Sequence, residues 1–211
     1  RIDVLAHASA TSAEFFGGSG RDRLVVHPGR AWMESGETTN YIYGASEVLG
    51  YAGTAEDTVT IYGGPSNDDA RVTDTSARLV NEQGTAEAIG YSTCTLRADQ
   101  GGIDTVTIQG TPADDIVRAS PHQLTFRSKT HSVFAQDFDI RLVQGRGGRD
   151  EARLNGSSSD DQFESSPSFA SLVTPASRIE LQEFKRIEVH AGEGEDTELH
   201  LGSPQSDVVL K

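Results

Sequence analysis

The chain has 211 residues, and 32 acidic against 18 basic residues leave a formal charge of −14. Binding to nucleic acid or to an anionic membrane needs a clustered positive face, which this balance argues against. Cys94 is the one cysteine, which excludes an intramolecular disulfide and a cysteine-based zinc site. No stretch approaches the roughly 20 apolar residues of a helical membrane span.

In chain order, Arg1 to Ala6 alternates like a short strand and matches Arg186 to Ala191 almost residue for residue. The chain therefore opens partway through a repeat, and with no signal peptide ahead of Arg1 it reads as a mature or excised piece. Ala13 to Gly17 reads as the next strand, Gly17 to Asp22 as a turn, and Leu24 to Val26 as resumed extended chain. A hairpin is expected from Ala31–Met33 and Tyr41–Tyr43, with counterparts at Ala77–Val80 and Ala86–Ile89, at Leu124–Phe126 and Val133–Phe134, and at Ala170–Val173 and Ile179–Leu181. A further strand follows each hairpin (Ile140–Val143, Ile187–Val189), then a Gly-rich turn ending in Asp57, Asp104, Asp150 or Asp196. The next strand carries the beat of the repeat, as in Thr58–Ile61, Thr105–Ile108, Glu151–Leu154 and Thr197–Leu201.

The beat closes on a glycine and an aspartate turn: Gly17 with Asp22, Gly63 with Asp68-Asp69, Gly110 with Asp114-Asp115, Gly156 with Asp160-Asp161, and Gly202 with Asp207. Taking Asp22, Asp69, Asp115, Asp161 and Asp207 as equivalent gives intervals of 47, 46, 46 and 46 residues, which places one extra residue between Gly63 and Asp69. A period of this length signals a solenoid, a propeller or an array. One unit of short strands cannot bury a face alone, whereas stacked units pair their backbones and align their apolar positions. The expected fold is an all-β solenoid, parallel β-helix-like, in one domain spanning 1–211, with about 4.6 repeats open at both ends. A β-propeller is the alternative, disfavoured because a closed ring would have to mend itself across a blade lacking its hairpin.

The repeated aspartates are candidate ligands. If Asp22, Asp68, Asp69, Asp114, Asp115, Asp160, Asp161 and Asp207 stack at one corner about 4.8 Å apart, their repulsion favours a bound calcium, which prefers clustered oxygens. The competing reading is that they accept backbone N–H bonds within the turn. Trp32, Tyr41 and Tyr43 cluster on the first hairpin only, as a glycan or partner contact or as the hairpin's own packing. The six histidines show no ligand-spaced pair, no nucleophile-elbow motif is present, and the prominent acids belong to the repeat, so catalysis is not expected.

Gly17 to Val25 resembles the calcium-binding nonapeptide of repeats-in-toxin proteins, although here it is not in tandem. The phrases Asp150 to Phe163 and Asp104 to Asp115 resemble those of long, repetitive secreted or surface proteins of bacteria, particularly planctomycetes. That resemblance implies an extracellular, structural or adhesive role and supplies no catalytic residues. The expected function is an extracellular structural repeat protein, a fibre, stalk or surface-coat subunit that self-associates end to end and is stabilised by calcium. A carbohydrate-binding or adhesive module is the alternative, and a polysaccharide lyase or hydrolase the third reading.

Overall fold

A computed structural model describes the backbone of residues 2–7, 12–98, 101–201 and 207–210, and the side chains of 12–98, 101–201 and 209. It is an all-β solenoid of about five turns. The expected corner from Gly202 to Ser206 lies outside the described residues, as does the side chain of Asp207. Among the described residues there is no helix, hence none long and apolar enough to cross a membrane.

Two strands open the described chain, β1 (Ile2–His7) and β2 (Ser12–Phe16). The first full unit is β3 (Asp22–His27), β4 (Arg30–Ser35), β5 (Thr38–Tyr43), β6 (Glu47–Tyr51) and β7 (Thr58–Tyr62). The second is β8 (Asp69–Val72), β9 (Ser76–Asn81), β10 (Gly84–Ile89), β11 (Thr93–Arg97) and β12 (Thr105–Gln109). The third is β13 (Ile116–Ser120), β14 (Gln123–Arg127), β15 (Ser132–Gln136), β16 (Ile140–Gln144) and β17 (Glu151–Asn155). The fourth is β18 (Gln162–Ser166), β19 (Phe169–Val173), β20 (Arg178–Gln182), β21 (Arg186–His190) and β22 (Thr197–His200), and β23 (Asp207–Leu210) follows.

These strands build two facing sheets, one in the order β1-β5-β4-β3-β7-β11-β15-β14-β13-β17-β21-β23, the other β2-β6-β10-β9-β8-β12-β16-β20-β19-β18-β22. The expected hairpins are present. Each is the second and third strand of an antiparallel meander that runs back along the stack within one sheet. The two remaining strands of a unit cross to the opposite sheet and return, so the next meander begins in the other sheet. Parallel neighbours across coils are therefore about 35 residues apart, as in Arg23 with Thr58 or Thr105 with Ile140.

The period-two alternation of each strand lines the space between the sheets with one continuous apolar core, including Leu24, Ile61, Leu96, Ile108, Phe126, Leu154 and Leu181. Each meander ends on a left-handed residue (Gly44 at φ 81°, Gly90 at φ 81°, Asp137 at φ 60°, Glu183 at φ 65°) followed by Ala45, Tyr91, Phe138 or Phe184 packed into or against the core. Arg141 interrupts the apolar rows. Its buried guanidinium donates to the carbonyls of Ser120, Pro121 and Gln123 and to Ser177 Oγ, tying the β13–β14 turn to the opposite sheet, and burial pulls its pKa down to about 10.

Candidate functional site

Four turns share one spacing: Gly17 to Asp22, Gly63 to Asp68, Gly110 to Asp115 and Gly156 to Asp161, each five residues. The four aspartates are buried, and each carboxylate accepts the N–H of the residue after its glycine. These bonds are Gly18 N to Asp22 Oδ2 at 2.5 Å, Gly64 N to Asp68 Oδ2 at 3.1 Å, Thr111 N to Asp115 Oδ2 at 2.6 Å and Ser157 N to Asp161 Oδ2 at 2.6 Å. The hydroxyls of Thr111 and Ser157 donate to the second oxygens at 2.9 and 2.8 Å. In the second unit the buried member is thus Asp68, and Asp69 opens β8 as an exposed residue. This corrects the expected alignment. The extra residue lies between β11 and β12, where the strand starts Thr93 and Thr105 are 12 apart, against 11 for Glu47 and Thr58.

Consecutive units do not stack their aspartates. Because meanders alternate between sheets, Asp22 and Asp115 lie along one long edge of the rod and Asp68 and Asp161 along the other. Each is stacked instead on an aspartate one coil away. The N–H groups of Asp22, Asp68, Asp115 and Asp161 donate to Oδ1 of Asp57, Asp104, Asp150 and Asp196 at 2.9, 2.8, 2.9 and 2.9 Å. Asp104 N donates onward to Asp139 Oδ2 at 2.8 Å. Burial, then the carboxylates of Asp68 and Asp139, pushes Asp104 up to about 6; burial, then Asp115 and Asp114, does the same for Asp150. Asp57 goes the other way: burial raises it, but N–H and hydroxyl donors from Asp22, Thr54 and Gly53 outweigh this and lower its pKa.

The partner positions Asp114 and Asp160 are exposed and accept the N–H groups of Arg149 and Glu195 at 2.8 Å. Asn67 fills the same position in the second unit and accepts Ile103 N at 2.8 Å. A neutral amide suffices there, so the bond does not need a charge; in the first unit the position is Arg21, which pairs with Glu56 instead. Asp114 and Asp115 face opposite ways, one exposed and one buried, as do Asp160 and Asp161. Among the described residues no three His, Cys, Asp or Glu side chains are grouped to hold a metal ion. Asp22, Asp68, Asp114, Asp115, Asp160 and Asp161 are thus spread over two edges, and each accepts a protein N–H.

Trp32, Tyr41 and Tyr43 lie on the outer face of their sheet, not in the core. Trp32 and Tyr41 stand directly opposite across β4 and β5, rings 6.3 Å apart. The fold adds partners that the sequence did not suggest: His27 stacks on Trp32 at 5.5 Å and on Tyr62 at 3.9 Å, while Arg30 and Arg97 sit 5.8 Å over the rings of Trp32 and Tyr62. The rings stack along the rod, one strand to the next, so much of their face area is covered by neighbouring rings. Ring-on-ring contacts of this kind add to the pairing of the strands that carry them, while Tyr43 remains exposed at the edge of the ladder.

Another group escaped the sequence reading. On β22, Glu198 and His200 stand in register with the inward-facing Phe163 and Ser165. His200 bonds Glu198 through Nε2 and meets Ser165 Oγ through Nδ1 at 2.5 Å, beside a cavity of about 320 Å³ lined by Phe163, Leu172 and Val189. Leu199 and Leu201 are correspondingly exposed. The Glu-x-His alternation, seen also at Glu188 and His190, was the available signal that both side chains share one face. Comparison with family models, curated protein sequences and solved structures found no match to this chain.

Proposed function

We propose that the chain is a structural repeat element of the cell exterior, a segment of a fibre, stalk or surface coat that self-associates or continues as a longer array of the same unit. One observation carries this reading. Among the described residues the aspartates that recur at the corners accept N–H groups within their own turn and from the next coil, so the groups that repeat are those that hold coil to coil. A chain built this way has rigidity and length as its product, since backbone pairing runs through all of its strands. The exterior location rests on the acidic composition and on the resemblance to bacterial surface repeats.

Calcium enters the proposal only as a cross-link between exposed carboxylates such as Asp69, Asp114 and Asp160, because the buried set is already bonded. Electron microscopy of the purified chain over a range of concentrations, with calcium and with chelator, tests the reading. Uniform filaments that grow with concentration are expected; their loss in chelator would add the calcium cross-link. Discrete particles of single-chain mass at every concentration would sink self-association. A second reading, an adhesive glycan-binding module, is favoured by the outward position of Trp32, Tyr41 and Tyr43, and predicts a monomer with a saturable site.

A further inference from the structure

One arginine faces outward from each of four neighbouring strands in the third and fourth units: Arg127 on β14, Arg118 on β13, Arg153 on β17 and Arg186 on β21. Arg118 and Arg153 are directly opposite in parallel register. Like charges so placed repel and lower the stability of a sheet. Among the described residues none of the four makes an ion pair, unlike Arg21, Arg23, Arg78 and Arg178, which pair with Glu56, Glu34, Glu87 and Glu180.

The stripe is not a property of the repeat. At the positions equivalent to Arg153 the other units carry Thr60, Thr107 and Leu199, and at those equivalent to Arg127 they carry Glu34, Val80 and Val173. At those equivalent to Arg118 they carry Val25, Arg71 and Glu164, and at those equivalent to Arg186 they carry Glu47, Thr93 and Ile140, so one of the four has a counterpart and the set of four occurs in one place. Ile116, Arg118, Arg153 and Arg186 also line a shallow groove of about 210 Å³. The acids facing this groove are Glu151 and Glu188, the latter already bonded to His190 Nε2 at 2.7 Å. Asp207 of β23 stands in register with Arg186 and bounds the stripe at that end.

We propose that this arginine stripe is a binding site for a linear acidic polysaccharide lying along the rod and bearing carboxylates at sugar-residue spacing. Arg118 and Arg153 stand opposite each other about 4.8 Å apart, with Arg127 and Arg186 offset from them by two register positions on the same side, opposite Ile116 and Glu151; their planar forks take carboxylates two bonds at a time. The rest of the molecule, at −14 overall, repels polyanions, so binding is confined to this face and weakens with salt. The site stands apart from the aromatic ladder and does not depend on self-association.

Titration calorimetry of the whole chain with polygalacturonate at low salt tests it, with the fully methyl-esterified polymer and a neutral dextran as controls. Saturable binding of the acid form alone is expected. Arg118→Gln with Arg153→Gln should weaken it at least tenfold while leaving the thermal midpoint unchanged or raised. Arg71→Gln with Arg78→Gln, on the opposite sheet, should leave affinity intact. No binding at low salt, or equal binding by the Arg118/Arg153 variant, overturns the site. Binding of a sulfated glycan without binding of polygalacturonate overturns the carboxylate assignment, and a concentration-dependent rise in mass abolished by the same variant would assign the stripe to a second copy instead.

Discussion

Replacing Asp115 by alanine, beside the same change at its neighbour Asp114, separates hydrogen bonding from metal binding at the corners. Asp115 is buried, and its carboxylate takes the N–H and hydroxyl of Thr111 at 2.6 and 2.9 Å. Alanine leaves two buried donors without partners, each costing roughly 1–3 kcal/mol, so the variant should lose about 3 kcal/mol. Asp114 is exposed and accepts one N–H, from Arg149 at 2.8 Å, which water can replace; its loss should cost about 0.5 kcal/mol. For a chain of this size the midpoint shifts are about 6–12 °C and about 1–2 °C. Thermal unfolding followed by circular dichroism, with calcium and with chelator, reads both. Equal losses for the two variants, or a loss at Asp115 that appears only in calcium, would refute the hydrogen-bond account.

Stability should fall as pH rises from about 4 to about 7. Asp104 and Asp150 sit near 6 against an ordinary 3.8, so the folded state favours their protonated forms, a contribution fully present below the ordinary value and lost as pH rises through 6. Asp57 has the opposite sign and loses its contribution only as pH drops below its ordinary range. Urea midpoints should be higher at pH 5 than at pH 8, and Asp104→Asn with Asp150→Asn should flatten the slope; a midpoint rising with pH across this window contradicts the assignment. Glu183→Gly should stabilise by about 1 kcal/mol in urea melts, because φ 65° is a glycine conformation that Gly44 and Gly90 supply in the first two units. Gly156→Ala should destabilise severely, since a methyl there would overlap the Ala191 carbonyl and crowd Asp161, whereas Gly20→Ala meets nothing within 4 Å and should stay within about 0.5 kcal/mol. Comparable melts for the two alanine variants would show that the close corner approach is not rigid.

The strands, hairpins and period were legible because all three are written locally, in alternation, turn residues and the glycine-to-aspartate spacing. What stacks on what was not. The repeat is 46 residues, but the spatial neighbour is about 35 residues away, since a coil closes after four strands and the fifth strand of the unit already belongs to the next coil. Asp57, Asp104, Asp150 and Asp196 were visible as turn endings; that each receives the N–H of Asp22, Asp68, Asp115 or Asp161 follows only from the folded register. The misplaced extra residue has the same origin. Either member of Asp68-Asp69 fits the repeat spacing, and only burial decides between them. The arginine stripe was equally hidden, because Arg127, Arg118, Arg153 and Arg186 come together through strand order β14-β13-β17-β21.

The odd strand count of the unit has a consequence for any longer assembly. Three strands of a unit lie in one sheet and a fourth lies opposite before the fifth returns, so equivalent meanders alternate sides, and only every second unit repeats in the same sheet. From β3 to β13 the first sheet advances by five strands, which at about 4.8 Å per strand is about 24 Å. A filament made by continuing this stack should diffract at about 4.8 Å and about 24 Å along its axis, with a two-fold screw relating successive units at about 12 Å. Fibre diffraction from aligned filaments measures this directly. A cross-β pattern with the 4.8 Å reflection and no 24 Å layer line would mean that the chains had refolded into an ordinary amyloid stack, and the solenoid would then not be the polymer's building block.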